Sequence, residues 1–164
     1  MILFLDFDGV LHPDAAYLQK GRPVLHGEGT LFMWAPPLIE ALAPHSHVKI
    51  VLSTSWVRVR GFSRARSALP EALAKRVIGA TWHSSMLRSD ELGNPLPVTR
   101  YQQIARYISR AQVTQWTAID DDGEGWVESH RDRLILTDPN KGIADPAALE
   151  QLRRALKFSL SDSA

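Results

Sequence analysis

Two carboxylates two residues apart, Asp6 and Asp8, close the apolar run of "MILFLDFDGVLHPD", and Gly9 follows them. A strand covered on both faces has no structural use for charge at its end. The acids therefore either make a turn or form the working end of a site. Two further runs end in the same manner. "VKIVLSTSW" closes on Ser53, Thr54 and Ser55, and "QWTAIDDDGEGW" closes on Asp120, Asp121 and Asp122 before two glycines. Arg100 opens a helical pattern shortly before the second acidic cluster. Turn formation and helix capping account for one such cluster, but not for all three together.

Brought into one crevice, these groups define a chemistry. Four carboxylates close together repel unless something neutralises them. Hard oxygen ligands without His or Cys favour Mg²⁺, which takes a few carboxylates and keeps the remaining positions for water or phosphate oxygens. A hydroxyl and a guanidinium suit the oxygens of a phosphoryl group. With one carboxylate free to attack, the set is competent for phosphoryl transfer through an aspartyl-phosphate.

The elements that must position these groups can be read from the apolar runs. Ile2–Leu5, Val48–Ser53, Arg76–Ala80, Gln115–Ile119 and Leu134–Leu136 are short and largely without polar alternation, as for strands covered on both faces. Pro36 and Pro37 open a helix that runs to about Ala43. Thr99 caps another, with Tyr101, Ile104, Ala105 and Ile108 at helical spacing. Asp145 and Pro146 start a third, whose buried stripe is Leu149, Leu152 and Leu156. Alternating strands and helices predict an α/β fold, a Rossmann-like parallel sheet of about five strands with helices on both faces. Ligands of such sheets bind beyond the carboxyl ends of the strands, where all the singled-out residues fall. One domain over residues 1–157 is expected, with 158–164 as a fraying tail.

On these motifs the chain resembles the haloacid dehalogenase (HAD) superfamily over nearly its whole length. "FLDFDGVL" matches the first family motif and implies Asp6 as nucleophile and Asp8 as general acid/base, with the Asp8 backbone carbonyl helping to hold Mg²⁺. "KIVLSTS" matches the second. Its best register makes Thr54 the phosphate-binding hydroxyl, with Ser55 beside it and Ser53 or Ser55 taking the role if the register shifts by one. The third motif is usually a lysine, and here Arg100 holds that place, keeping the charge but changing the donor geometry. "TAIDDD" matches the fourth and implies Asp120 and Asp121 as metal-side carboxylates. The resemblance implies an Mg²⁺-dependent phosphomonoester hydrolase. Asp8 supports phosphate-ester chemistry, since dehalogenases and P-type ATPases of the superfamily lack a second Asp there. A receiver domain would carry its phosphoacceptor after the third strand, where this chain reads "GATWHSS".

What enters the site depends on what covers it. Gly9 to about Trp34 must supply a flap and a connection, and Thr81 to Val98 is shorter still. Below about 40 residues an independent folded cap is not expected, so the chain reads as capless with an open site. An open site suits a large phosphorylated substrate, or neighbouring subunits that close over a small metabolite. "STSWVRVRGFSRAR" places Trp56 and Arg58 just beyond a strand end, where an aromatic ring can stack on a base and arginines can track phosphates. Trp56 packed beneath the flap and arginines on a solvated face are the competing reading. The pattern of DxDGVL, STSW and IDDD is similar to HAD domains of RNA-repair proteins, which implies nucleic acid as partner and polynucleotide ends as substrate. The alternative is a HAD-fold binding or regulatory module without turnover, motivated by the absent lysine and cap. His12, close behind the first motif, is a candidate for contact with the leaving group. Trp82 and His83 follow the third strand and are read as packed and solvated. His45 and His47 are read as a surface loop.

Composition narrows the classes further. The 164 residues are 45% hydrophobic and 23% charged, enough for a core and against disorder. Without cysteine there is no disulfide framework or thiolate site. No run is long enough to span a bilayer, and the first apolar run lacks the basic flank of a signal peptide. A cytoplasmic protein without membrane association is expected. The net charge of +1 hides a basic stretch from Arg58 to Arg76 and acidic clusters at the strand ends, a distribution suited to holding a cation and receiving an anion.

Overall fold

The computed structural model of the chain describes residues 1–83 and 98–161. Its five-stranded sheet is parallel throughout and is built from β1 (Ile2–Leu5), β4 (Lys49–Leu52), β5 (Val77–Ala80), β6 (Trp116–Asp120) and β7 (Leu134–Leu136). The strand order is β5-β4-β1-β6-β7. β1 is central, with Leu5 opposite Leu52 on one side and Ile119 on the other. The chain leaves β1 for β4 on one side and later returns to β6 on the other. That reversal opens a crevice at the carboxyl ends of these strands.

Strand alternation divides the core between the two faces. Leu3, Leu5, Ile50, Leu52, Ile119 and Ile135 share one core with α1 (Ala35–Leu42) and α6 (Pro146–Ser161), through Leu38, Leu42, Leu152 and Leu156. The same core takes in Trp56, Ala65 and Leu73 from α2 (Ser55–Arg60), α3 (Phe62–Ala68) and α4 (Glu71–Ala74). Phe4, Val51, Trp116 and Ala118 point to the other face, which is closed by Ile104 of α5 (Arg100–Ala111) and by Trp126. Both faces are thus covered, as the apolar runs require.

The expected strands stand within a residue or two of their expected ends. The sequence reading did not contain the antiparallel hairpin β2 (Ala16–Gln19) and β3 (Arg22–Leu25). Its two-residue loop, Lys20-Gly21, has positive φ at both positions (51° and 77°), the backbone that matches the twist of paired strands. α2 to α4 divide the stretch read only as basic, and α6 continues through Ser161 into residues assigned to the tail. No separate cap domain is present among the described residues; most of the Thr81–Val98 connection, including Ser84 and Ser85 of "TWHSS", lies outside them. No described helix is long and apolar enough to cross a membrane.

Leu152 is fully buried and Ile78 is 54% exposed. Leu152→Ala should lower unfolding free energy by about 2–5 kcal/mol, and Ile78→Ala by no more than about 0.5 kcal/mol, as read by urea denaturation. Equal effects would contradict this assignment of the core.

Candidate functional site

Asp6 leaves the end of β1 at the floor of the crevice and is 4% exposed. One carboxylate oxygen accepts the Phe7 N–H at 2.7 Å, and the other accepts from Arg100 Nη2 at 3.1 Å. The Thr54 hydroxyl stands close enough to Asp6 to pull its carboxyl down. Thr54 ends the β4 connection as the N-cap of α2, where its oxygen accepts the Trp56 N–H at 3.3 Å. Of the three hydroxyls left open by the sequence, Thr54 therefore faces Asp6. Ser53 Oγ is buried without a hydrogen bond among the described residues, and Ser55 lines a hollow beside Asp8.

Arg100 is placed by its helix start. The Thr99 hydroxyl accepts the Gln102 N–H while the Gln102 side chain accepts the Thr99 N–H, a capping box that fixes the first turn of α5. From there the guanidinium reaches two acids, Asp6 through Nη2 and Asp120 through Nε at 3.2 Å. A lysine presents one point charge and does not span two carboxylates in this fashion. The Nε approach lacks hydrogen-bond alignment, so Arg100 Nε and Asp120 Oδ2 are both buried without a hydrogen bond among the described residues. The other Asp120 oxygen accepts the Asp122 N–H at 3.1 Å.

Asp6, Asp120 and Asp121 bring one oxygen each within 4.8 Å of one another. Their electrostatics are those of a cluster short of positive charge. Burial raises the Asp6 carboxyl above its ordinary range; Arg100, the Phe7 N–H and Thr54 pull it back, and the charge of Asp8 pushes it further up. Burial and then the charge of Asp6 hold Asp120 well above the ordinary range. Burial and then Asp6 and Asp14 lift Asp121 to about 6. Burial alone would favour loss of the Arg100 proton, but the four surrounding aspartates, Asp6 foremost, outweigh it and raise its value. An all-oxygen donor set, mutual repulsion and an orphaned buried oxygen on Asp120 fit a hard divalent cation. Gly9 belongs to this geometry. Its φ is +68°, and a methyl group there would run into the Asp121 carboxylate.

Asp8 has a different environment, although it lies only two residues from Asp6. His12 Nε2 donates to one of its oxygens at 3.0 Å, and Trp56 Nε1 donates to the other at 2.9 Å. The ring tautomer follows from its neighbours, because His12 Nδ1 accepts the Phe32 N–H at 3.4 Å. His12 is fully buried and Trp56 is 6% exposed. Their rings pack edge-on against Phe32, as does Phe7. His12, offered by the sequence as a leaving-group contact, thus touches Asp8 from within the core. The Trp56 ring, offered as a stacking platform, packs against Phe7 and Phe32 and has the Arg60 guanidinium 5.5 Å from its centroid.

The basic stretch separates into two kinds of residue. Arg76 donates to the Leu42, His45 and Val48 carbonyls and ties α1 to the sheet, and Arg66 donates to the Ala74 carbonyl. Arg58 is exposed on α2. Arg60, which the sequence reading did not single out, lines the hollow with Asp8. Also missed was Thr137, whose hydroxyl donates to the Gly9 carbonyl at 2.8 Å and holds the loop after β1. Its position directly after the β7 strand was the available signal.

Fold and site together are those of a HAD-type hydrolase domain. Residues 2–148 match the family model described as the HAD domain in Swiss Army Knife RNA repair proteins, and the chain belongs to that family. Neither the curated proteins nor the solved structures hold a match to the chain.

The raised carboxyls give a pH dependence of definite sign. Without a bound cation, the folded state binds more protons than the unfolded one. The resulting stabilisation is complete below the ordinary value of 3.8 and is lost as pH rises through the folded-state value, about 6 for Asp121. The Tm of the chelated chain should therefore fall between about pH 4 and pH 7. Asp121→Asn should flatten that slope, and Mg²⁺ should raise Tm above pH 6. A Tm that climbs with pH over this window, or ignores Mg²⁺, would contradict the cluster.

Proposed function

We propose that the chain is a phosphomonoester hydrolase that works through an aspartyl-phosphate on Asp6 and acts on polynucleotide ends. The observation that carries this reading is the partition of two neighbouring carboxylates. Asp6 faces a guanidinium, a hydroxyl and two further acids, whereas Asp8 faces a pair of neutral donors beside an open hollow.

In the proposed reaction an Asp6 oxygen attacks phosphorus, and the bond to the leaving alkoxide breaks as Asp8 delivers its proton to that oxygen. Water then attacks the phosphorus of the aspartyl-phosphate and gives a proton back to Asp8, releasing phosphate and restoring the Asp6 carboxylate. Arg100 and Thr54 stand where they can stabilise the phosphoryl oxygens, with Ser55 alongside. Asp6, Asp120, Asp121 and the Asp8 carbonyl would hold Mg²⁺, which when bound offsets the phosphoryl charge. His12 and Trp56 act as positioning residues, holding the Asp8 carboxylate toward the leaving-group side.

Nucleic acid as substrate class is supported by the family's description as domains of RNA repair proteins. Exposed arginines on α2 and α3, Arg58 and Arg64, support it further. Retention of the fold without turnover is the competing reading, and catalysis separates the two.

An aryl phosphate should be hydrolysed with Mg²⁺ and not with EDTA, and Asp6→Asn should reduce kcat by at least about 1,000-fold. Activity that survives this substitution would sink the mechanism. His12→Ala and Trp56→Phe should slow esters of poor leaving groups, such as nucleoside phosphates, about 10-fold more than activated aryl esters, whose departure needs no proton. Equal losses on both would indicate a merely structural role for the pair.

A further inference from the structure

Between the β2–β3 hairpin and α2 lies a hollow of about 280 Å³ that none of the phosphate-facing or metal-facing groups explains. Tyr17, Leu18 and Pro23 form its hairpin side, and Val59 and Arg60 its α2 side. Asp8 and Ser55 lie along it, so a molecule in the hollow sits beside the carboxylate proposed to protonate the leaving group.

Three properties define what would fit. Leu18 and Val59 are 49% and 55% exposed, and these apolar residues face one place from the hairpin and from α2, whereas the Tyr17 ring lies on the other face of the hairpin against His26. Exposed apolar surface gathered in this way marks a contact site rather than ordinary surface. The volume falls at the low end of small-molecule sites, enough for one flat ring system and too little for an enclosed substrate. Arg60 supplies the cation of the wall, its guanidinium already set over the Trp56 ring.

The polar content of the lining is equally informative. Among the described residues it contains no Asn or Gln, whose paired donor and acceptor read an adenine edge, and its one guanidinium, that of Arg60, is set over the Trp56 ring. Both Asp8 oxygens are engaged by His12 and Trp56. A ring in the hollow is therefore held by its faces, and stacking of this kind is indifferent to base identity.

We propose that the hollow receives the terminal base of a phosphorylated nucleic-acid strand. The protein would then distinguish a nucleotide end from a plain phosphate ester, but not one base from another. This rests on the reading of the chain as an end phosphatase.

The test is a panel of short RNA oligonucleotides, phosphorylated at the 3′ or the 5′ end, that differ only in the terminal residue: A, C, G, U or abasic. p-Nitrophenyl phosphate serves as reference. In the series that is hydrolysed, kcat/KM for the four bases should agree within about 3-fold and fall about 10-fold or more for the abasic end. Leu18→Asp, and separately Val59→Asp, should collapse the ratio of base-bearing to abasic ends toward one while leaving the melting temperature near that of the parent. An abasic end turned over as well as the others, a preference above about 10-fold among the bases, or a ratio untouched by both substitutions would overturn the proposal. Turnover of p-nitrophenyl phosphate and of sugar phosphates or phosphopeptides, but of no oligonucleotide, would remove the nucleic-acid reading and this occupant with it. No turnover of any ester would remove the phosphatase reading itself.

Discussion

The site depends on one electrostatic arrangement, two buried aspartates and a half-buried third gathered around a single guanidinium. Asp6, Asp120 and Asp121 come from the ends of the central strand and its neighbour. Burial lifts all three carboxyl groups above their ordinary range, and the charge of Asp6 pushes Asp120 and Asp121 further up, as that of Asp8 does for Asp6. Arg100 offsets part of that charge, and its position is set by the capping box at the head of α5. What remains is a concentrated negative site whose oxygen donors could hold a divalent cation. Gly9 makes it possible, since only a residue without a side chain leaves room for Asp121 at that turn.

Asp8 shows how two identical side chains two residues apart acquire different environments. Asp6 turns toward the charged cluster. Asp8 turns toward His12 and Trp56, both held by packing around Phe32. Separation of environments is the general route by which paired carboxylates come to serve as nucleophile and as acid/base. The hairpin of β2 and β3 extends this second environment outward into a hollow lined by Asp8 and Trp56.

Much of this was legible in the sequence, because parallel strands covered on both faces are apolar enough to make a charged end conspicuous. Asp6, Asp8, Thr54, Asp120 and Asp121 all follow such runs, and Arg100 follows a recognisable cap. The hairpin was not legible, for its strands are only four residues long, largely exposed on β2, and interrupted by Pro23. Trp56 was legible as an aromatic near the site but not as a donor to Asp8. That bond joins residues 48 apart in the chain and leaves no local pattern. For the same reason Arg76, read as part of a basic stretch, gave no sign that it caps the carbonyls following α1.

The proposed reaction turns on attack at phosphorus by the Asp6 carboxylate itself. Acid-quenching Asp8→Asn during turnover of an aryl phosphate with Mg²⁺, followed by peptide mass analysis, tests it most directly. Loss of the base should slow hydrolysis of the intermediate, so the peptide bearing Asp6 should carry one phosphoryl group, and the Asp6→Asn, Asp8→Asn double variant should carry none. Steady release of phosphate with no phosphorylated Asp6 peptide at any quench time, or a label on another residue, would contradict the account.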